Sequence, residues 1–387
     1  MSSAIDTSGL SRLEKYYREY GKRAEELKEQ GYRFMGYLCA FVPVEIVYAA
    51  GFVPFRIKGD VNEPITKADV NMETLICPLV RSCFDLAVKG NYTFLEGLII
   101  PHACDSICKT YDIWKYTMGL PYSHFINMPH KTDDSSVAFF SSELGTFLKS
   151  LGKYAGHEIT NDDLLRAIEL CNANRAKMRR LMDYRKSSPP KITGTQLTEL
   201  YVANMSIPVE ESNELLDRVI AEVEKQPESN KEGKRLLVFG AQVDDASFIK
   251  LIEESGAYVV ADDLCPGARE YRADVDTAGD LVRNLAERYL RGIKCGRTYE
   301  EVTGTYEESI EHRFGHIGKA IKEYGVEGVV LYLYKYCDPY GFEVPALKSY
   351  LSTLDVPVLY LEDEYTLSSI GRLKTRIQAF LEVIESQ

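Results

Sequence analysis

From Arg235 to the C-terminus, apolar segments of strand length alternate with amphipathic segments of helix length. The strand pattern RLLVFGAQVDD precedes the helical pattern SFIKLIEESG, and AYVVADDLC is the next strand pattern. Further along, EGVVLYLYKYC precedes the helical EVPALKSYLSTL, and VPVLYLEDEY precedes a last helix that starts near Ser369. This alternation predicts a parallel sheet with helices on both faces. In such sheets ligands bind at the carboxyl ends of strands, which is where Cys337 stands.

The first half of the chain has the same organisation in shorter elements. The segment GYLCAFVPVEIVYAAGFVPFRIKGD predicts a strand, a turn at Val42-Pro43, a helix over residues 44–50 and a second strand. Because proline suits the first helical turn, PLVRSCFDLAVKG predicts a helix with Cys77 at its N-terminus. The segment LEGLIIPHACDS then predicts a buried strand that runs into a loop. We therefore expect an α/β protein with two doubly wound, Rossmann-like parallel-sheet domains.

A short polar segment, KQPESNKEGK, separates the two halves of the chain. A segment of this composition is typical of a domain boundary. We predict a first domain over residues 1–225, which comprises an N-terminal helical segment and the first α/β unit, and a second domain over residues 235–387. The first would carry most of the candidate cysteines, and the second would carry Cys337. The charged, heptad-like opening of the chain predicts an amphipathic helix on the body of the protein.

The charge balance excludes several classes of partner. A net charge of −12, from 46 basic and 58 acidic residues, disfavours binding to nucleic acid or to an anionic membrane. The chain opens without the apolar core of a signal peptide, and no apolar segment approaches the ~20 residues of a membrane span. We therefore expect a cytoplasmic protein. In a reducing compartment its nine cysteines are not expected to form disulfides, so metal ligation, redox chemistry or burial must account for them.

Six of the nine cysteines lie at predicted ends of strands or helices, where they could act as ligands. Burial is the competing interpretation, since cysteine is among the most buried residue types. On a helix, the Cys104-x-x-x-Cys108 spacing places both thiols on one face, which suits ligation and core packing equally. Cys171 lies mid-helix as a small apolar residue, whereas Cys265 and Cys295 lie in polar loops, where we expect them to be incidental. The six candidates are Cys39, Cys77, Cys83, Cys104, Cys108 and Cys337.

The spacing of these cysteines argues against a structural zinc site. Such sites favour tight Cys-x2–4-Cys pairs, and only the pair of Cys104 and Cys108 approaches that spacing. Thiolates from several separate loops fit an iron–sulfur cluster better. The thiolate of Cys77 would be favoured by the free N–H groups and the positive dipole end of its helix.

Other catalytic motifs give weaker indications. The sequence has no phosphate-binding loop of the Gly-x4-Gly-Lys-Ser/Thr type, so we do not expect this chain to hydrolyse ATP by itself. His312 and His316 share a helix at metal-binding spacing but lack a third ligand nearby, which favours a structural or surface role. Glu45 is our candidate catalytic acid, although a carboxylate that complements its helix start is the favoured interpretation. Arg81 either offsets the charge of a bound cluster or lies at the surface.

Taken together, several of these segments resemble the 2-hydroxyacyl-CoA dehydratase and benzoyl-CoA reductase family of iron–sulfur proteins. They are GYLCAFVPVEIVYAAGFVPFRIKGD, RSCFDLAVKG, FLEGLIIPHACDS, GVVLYLYKYCDP and the ending LEDEYTLSSIGRLKTRIQAFLE, in order over most of the chain. The resemblance implies two doubly wound α/β domains, paired subunits, and electrons from a separate dimeric ATPase that carries its own cluster. It also implies that Cys83, Cys104 and Cys337 are the ligands of one [4Fe–4S] cubane.

The further thiols of Cys39, Cys77 and Cys108 make the chain similar to the double-cubane branch of that family. This branch comprises homodimers in which two [4Fe–4S] cubanes are joined by a bridging sulfide and each is held by three cysteines. The resemblance therefore implies an ATP-dependent, low-potential reductase that acts on small molecules. Two alternatives stay open: a subunit of a 2-hydroxyacyl-CoA dehydratase or benzoyl-CoA reductase with one cubane, and a non-catalytic electron carrier.

Overall fold

The structure, a computed structural model, describes residues 8–226 and 232–386. Within them, eight strands form two parallel sheets of four strands each. The strands of the first sheet are β1 (Phe34–Tyr37), β2 (Val53–Arg56), β3 (Leu95–Pro101) and β4 (Tyr122–Ile126). Those of the second are β5 (Lys234–Gly240), β6 (Ala257–Asp263), β7 (Gly328–Tyr334) and β8 (Val358–Asp363). The orders are β2-β1-β3-β4 and β6-β5-β7-β8, which confirms the predicted class of two doubly wound α/β units.

Helices connect the strands and flank both sheets. Among the described residues they are α1 (Gly9–Arg18), α2 (Lys22–Glu29), α3 (Val44–Ala49), α4 (Pro78–Val88), α5 (Asp105–Met118), α6 (Asp134–Ala155), α7 (Asn161–Asp183), α8 (Gly194–Asn204), α9 (Val209–Glu224), α10 (Ala246–Glu254), α11 (Ala268–Tyr271), α12 (Leu281–Glu287), α13 (Tyr306–Tyr324), α14 (Asp338–Thr353) and α15 (Ile370–Glu385).

Local signals account for the elements that carry cysteines. Helix α4 begins at Pro78, whose fixed φ suits the first turn, and Cys77 is its N-cap residue. Strand β7 is buried along its whole length, as expected for a central parallel strand covered on both faces. Cys104 and Cys337 are the N-cap residues of α5 and α14, and each lies three residues after the end of its strand, β3 and β7 respectively. These two strand-to-helix transitions therefore present thiols at the sheet edges.

Four helices of the first half of the chain form a layer of their own. Helices α1, α8 and α9 pack together, α7 packs on α9, and their apolar side chains form a separate core that includes Leu13, Leu181 and Leu216. Helix α8 also contacts α10 and β6, so this layer reaches the second sheet. Each sheet lies within one half of the chain, whereas residues 227–231 of the predicted boundary segment lie outside the described residues. The domain boundary stays a prediction.

Helices α1 and α2 form the described part of the predicted N-terminal helical segment, and residues 1–7 lie outside the described residues. The buried face of α1 includes Leu13 and Tyr16 and packs on α8 and α9. Among the described helices, none is both long enough and apolar enough to cross a membrane.

Gly240, the last residue of β5, provides a test of the sheet packing. A methyl group there would overlap the carbonyl oxygen of Tyr332 on the neighbouring strand β7. We expect Gly240→Ala to lower the free energy of unfolding by about 1–3 kcal/mol, as overpacked sites do. A matched control is Gly145→Ala within α6, where the methyl group meets no atom within 4 Å and raised stability is expected. Chemical denaturation measures both, and equal effects would contradict the strand pairing described here.

Candidate active site

The carboxyl ends of both sheets face one cavity of about 80 Å³. In a doubly wound sheet, ligands bind at the switch point of the strand order. That point lies between β1 and β3 in the first sheet and between β5 and β7 in the second. The cavity is lined by residues that follow these strands, namely Cys39 after β1, Cys104 after β3, Gln242 after β5 and Cys337 after β7. The fold therefore brings the two switch points together at one site.

Six cysteines line this cavity, and four of them are among the six predicted ligands. Of the other two predicted ligands, Cys83 is fully buried within α4, and Cys108 is half-buried one turn after Cys104 on α5. Neither lines the cavity, so a ligand role for Cys83 and Cys108 stays a prediction from the resemblance alone. The cysteines that line the cavity are Cys39, Cys77, Cys104, Cys265, Cys295 and Cys337.

Cys265 and Cys295 are predicted from the sequence to be incidental, but both line this cavity. Arg269 Nη1 donates a hydrogen bond to Cys265 Sγ at 3.1 Å, and the Tyr340 hydroxyl donates to Cys295 Sγ at 3.3 Å. Cys265 lies two residues after the end of β6, and this strand-end position is a signal that the sequence contained. Cys295 has no comparable signal, because a loop between α12 and α13 carries it to the cavity. Cys171, by contrast, is buried in α7 and does not line this cavity.

Two residues at the cavity have strained backbone. Cys39 has φ 73° and Tyr336 has φ 63°, both in the left-handed region that favours glycine. Such a conformation costs of order 1–3 kcal/mol, and residues that adopt it cluster at functional sites. Glycine at position 39 would avoid this cost but would remove a thiol. The geometry therefore indicates that a side chain is needed at this point of the cavity.

Burial makes the cavity thiols weak acids. It raises the pKa of Cys39 to about 12, and the neighbouring Cys265 thiol adds to the shift. Burial also raises the pKa of Cys104 and of Cys337. For Cys77, burial outweighs the amides at the start of α4, so its pKa is raised, contrary to the expectation of a favoured thiolate. These thiols are expected to ionise at neutral pH only when a metal replaces the proton.

The other predicted site residues lie outside the cavity lining. Arg81 forms an ion pair with Asp69. Glu45 is completely buried, and its two oxygens accept hydrogen bonds from Arg175 Nη2 and from the Tyr289 hydroxyl, each at 2.8 Å. Burial alone would raise the pKa of Glu45, but the neighbouring arginines lower it below its usual value. This environment favours the structural interpretation of Glu45, and its catalytic role stays a prediction.

His312 and His316 do not share a ligand. His312 Nε2 lies 2.8 Å from a Glu300 oxygen, whereas His316 Nε2 lies 3.4 Å from an Asp263 oxygen. Burial lowers the pKa of His316. Each imidazole is therefore engaged with a different carboxylate, in keeping with the structural role favoured by the sequence.

The thiols are spread around the cavity rather than gathered at one point. Among the described residues, no three His, Cys, Asp or Glu side chains are placed to hold a single metal ion. A tetrahedral zinc site with Zn–S bonds of about 2.3 Å would need sulfurs roughly 4 Å apart. In an iron–sulfur cluster, by contrast, each cysteine binds a different iron, so the thiols surround the cofactor at greater separation. The donor set, six thiols around one cavity, fits a cluster.

Comparison with known proteins gives matches over nearly the whole chain. The family model for the 2-hydroxyglutaryl-CoA dehydratase D-component matches residues 39–384. One of the subunits of the benzoyl-CoA reductase of Thauera aromatica is 28% identical over 353 residues, which cover 90% of this chain and 89% of that protein. The (R)-phenyllactyl-CoA dehydratase beta subunit of Clostridium sporogenes is 25% identical over 93% of this chain and 94% of its own length. The beta subunit of (R)-2-hydroxyglutaryl-CoA dehydratase of Acidaminococcus fermentans is 25% identical over 92% and 93%, respectively.

Proposed function

The chain belongs to the 2-hydroxyglutaryl-CoA dehydratase D-component family, and from this membership we propose that it is an iron–sulfur reductase with a double-cubane cluster in its cysteine-lined cavity. Its relatives are named as components of acyl-CoA dehydratases and of a benzoyl-CoA reductase. The proposed reaction is the ATP-dependent, low-potential reduction of a small molecule. A separate ATPase activator would supply the electrons, and the active form would be a homodimer.

One observation carries this proposal, namely that six thiols line a single cavity. A lone cubane with three cysteine ligands leaves three of these thiols without a role, whereas two cubanes that are each held by three cysteines use all six. We propose the six cavity cysteines as the ligands. They differ from the set implied by the resemblance in that Cys265 and Cys295 replace Cys83 and Cys108.

The residues around the cavity would have three different roles. The six thiols would hold the cofactor, which supplies low-potential electrons when bound. The hydrogen bonds from Arg269 to Cys265 and from Tyr340 to Cys295 would stabilise the thiolate form of these ligands. Apolar side chains such as Phe41 and Leu79 line the same cavity and would restrict the access of water.

Iron and sulfide analysis of anaerobically purified protein tests the cofactor. We expect about eight irons per chain, twice the content of a single cubane. Mössbauer spectroscopy would identify them as cubane irons. A content of about four irons would contradict the double cubane.

A dehydratase subunit with a single cubane is the second candidate function. It is favoured by the names of the relatives, of which the two from Clostridium sporogenes and Acidaminococcus fermentans are dehydratase beta subunits. Four irons per chain, together with a requirement for a different partner subunit, would select this candidate. Eight irons without any reductase activity would instead select the electron carrier.

A further inference from the structure

Two buried arginines, one in the cavity lining and one directly behind it, differ from the other buried arginines among the described residues. Six arginine side chains are buried among the described residues, and four of them form an ion pair with a carboxylate. Arg56 and Arg297 form none with any carboxylate that the structure describes. The four ion pairs are Arg175–Glu45, Arg185–Asp262, Arg269–Asp263 and Arg288–Glu270.

Arg297 lines the cavity and is held in place by backbone carbonyl groups. Its Nε donates to the Ala103 oxygen at 3.0 Å, its Nη2 donates to the Met128 oxygen at 2.6 Å, and its Nη1 donates to the Pro129 oxygen. These carbonyls orient the guanidinium group but carry no net charge. The positive charge of Arg297 is therefore left uncompensated beside the thiols.

Arg56 lies directly behind Gln242, which lines the cavity. Arg56 Nη2 donates to Gln242 Oε1 at 2.9 Å. Arg56 Nε and Nη1 and Gln242 Nε2 are buried and have no hydrogen-bond partner within the described part of the chain. Two carboxylates attract Arg56 at longer range without forming an ion pair with it. Glu270 is paired with Arg288 at 3.5 Å, and Asp244 accepts a hydrogen bond from the Tyr365 hydroxyl at 2.8 Å.

A buried charge without a partner costs several kcal/mol, so proteins normally neutralise it. Arg297 in the cavity lining and Arg56 directly behind it are two such charges. An anionic occupant would balance both charges, and it would also provide an acceptor for the free Nε2 of Gln242, which lines the cavity.

We infer that Arg56 and Arg297 are positioning residues that supply the counter-charge for an anionic occupant of the cysteine-lined cavity. Where that occupant is the proposed cluster with its thiolate ligands, the inference rests on the proposed function. The two charges would then stabilise the reduced, more negative state of the cofactor over the oxidised state.

A redox titration of the iron-loaded protein, followed by EPR, tests the inference through a midpoint potential rather than through activity. We expect Arg56→Gln and Arg297→Gln each to disfavour one-electron reduction at least tenfold, which is about 59 mV toward more negative potential. Arg56→Lys and Arg297→Lys retain the charge, so their potentials should stay near that of the unmodified protein. Equal potentials in the Gln and Lys variants would overturn the inference.

Arg185→Gln is the matched control, because Arg185 is equally buried but forms an ion pair with Asp262 at 2.9 Å and lies outside the cavity lining. It should lower the melting temperature without a shift in potential. A shift as large as that of the cavity variants would assign the effect to general loss of packing and would overturn the inference.

The cluster-free protein separates this inference from the proposed function. Sodium sulfate should raise the melting temperature of the unmodified protein more than that of the Arg56→Gln/Arg297→Gln double variant, relative to sodium chloride at equal ionic strength. The general stabilising effect of sulfate acts on both proteins and cancels. If the unmodified protein binds no iron, the proposed function fails, and the comparison of melting temperatures alone tests the inference. A larger effect of sulfate on the unmodified protein supports the anion site, and an equal effect on both proteins overturns it.

Discussion

Serine in place of any one of the six cavity cysteines should sharply lower the iron content of the protein and abolish the proposed reductase activity. The hydroxyl group is a harder ligand than the thiolate and ionises less easily. Changes to residues that only support a ligand already cost about 10–100-fold in metal affinity. The loss of a ligand itself should cost more. Iron per chain, measured after anaerobic purification of each variant, checks this expectation.

The informative variants in this series are those on which the sequence and the structure differ. We expect Cys265→Ser and Cys295→Ser to lose iron, because both thiols line the cavity. Cys83→Ser and Cys108→Ser should retain more iron, because neither thiol does. The opposite result would restore the ligand set implied by the resemblance. Cys171→Ser is the control, since this buried thiol lies in α7, and only a modest loss of stability is expected there.

Glu45→Gln should lower the free energy of unfolding by about 3–5 kcal/mol, because the substitution removes the buried partner of the Arg175 charge and leaves only the exposed Asp274 carboxylate at 3.7 Å. Chemical denaturation of the cluster-free protein measures this loss directly. The control is Glu14→Gln, which removes an exposed ion pair with Arg18 and should change stability by less than about 1 kcal/mol.

A double variant provides a second test of the ion pair between Glu45 and Arg175. Combining Glu45→Gln with Arg175→Met removes both charges and should recover part of the lost stability. If Glu45→Gln is as stable as the unmodified protein and holds its iron but is inactive, the catalytic assignment of Glu45 would be supported and the structural interpretation would be wrong.

The strands and helices around the site were predictable because their signals are local. The fully apolar run of β7, the proline after Cys77 and the alternation of strand and helix each depend on residues close together in the chain. Strand ends also placed Cys39, Cys104 and Cys337 at sheet edges, where the structure has them. The same reasoning applied to β6 would have included Cys265.

The α/β class, the doubly wound order of the elements and the presence of thiols at several strand ends follow from the sequence alone, because periodicity and helix-end signals are short-range. Which thiols share a cavity depends instead on how the chain packs in three dimensions. Cys295 and Cys39 line the same cavity although they belong to the two different halves of the chain. No local sequence pattern encodes this proximity. The same holds for Arg56 and Arg297. Their charges are important for the site because, among the described residues, no carboxylate forms an ion pair with either of them. Burial and long-range pairing set these properties, and both arise only when the chain has folded.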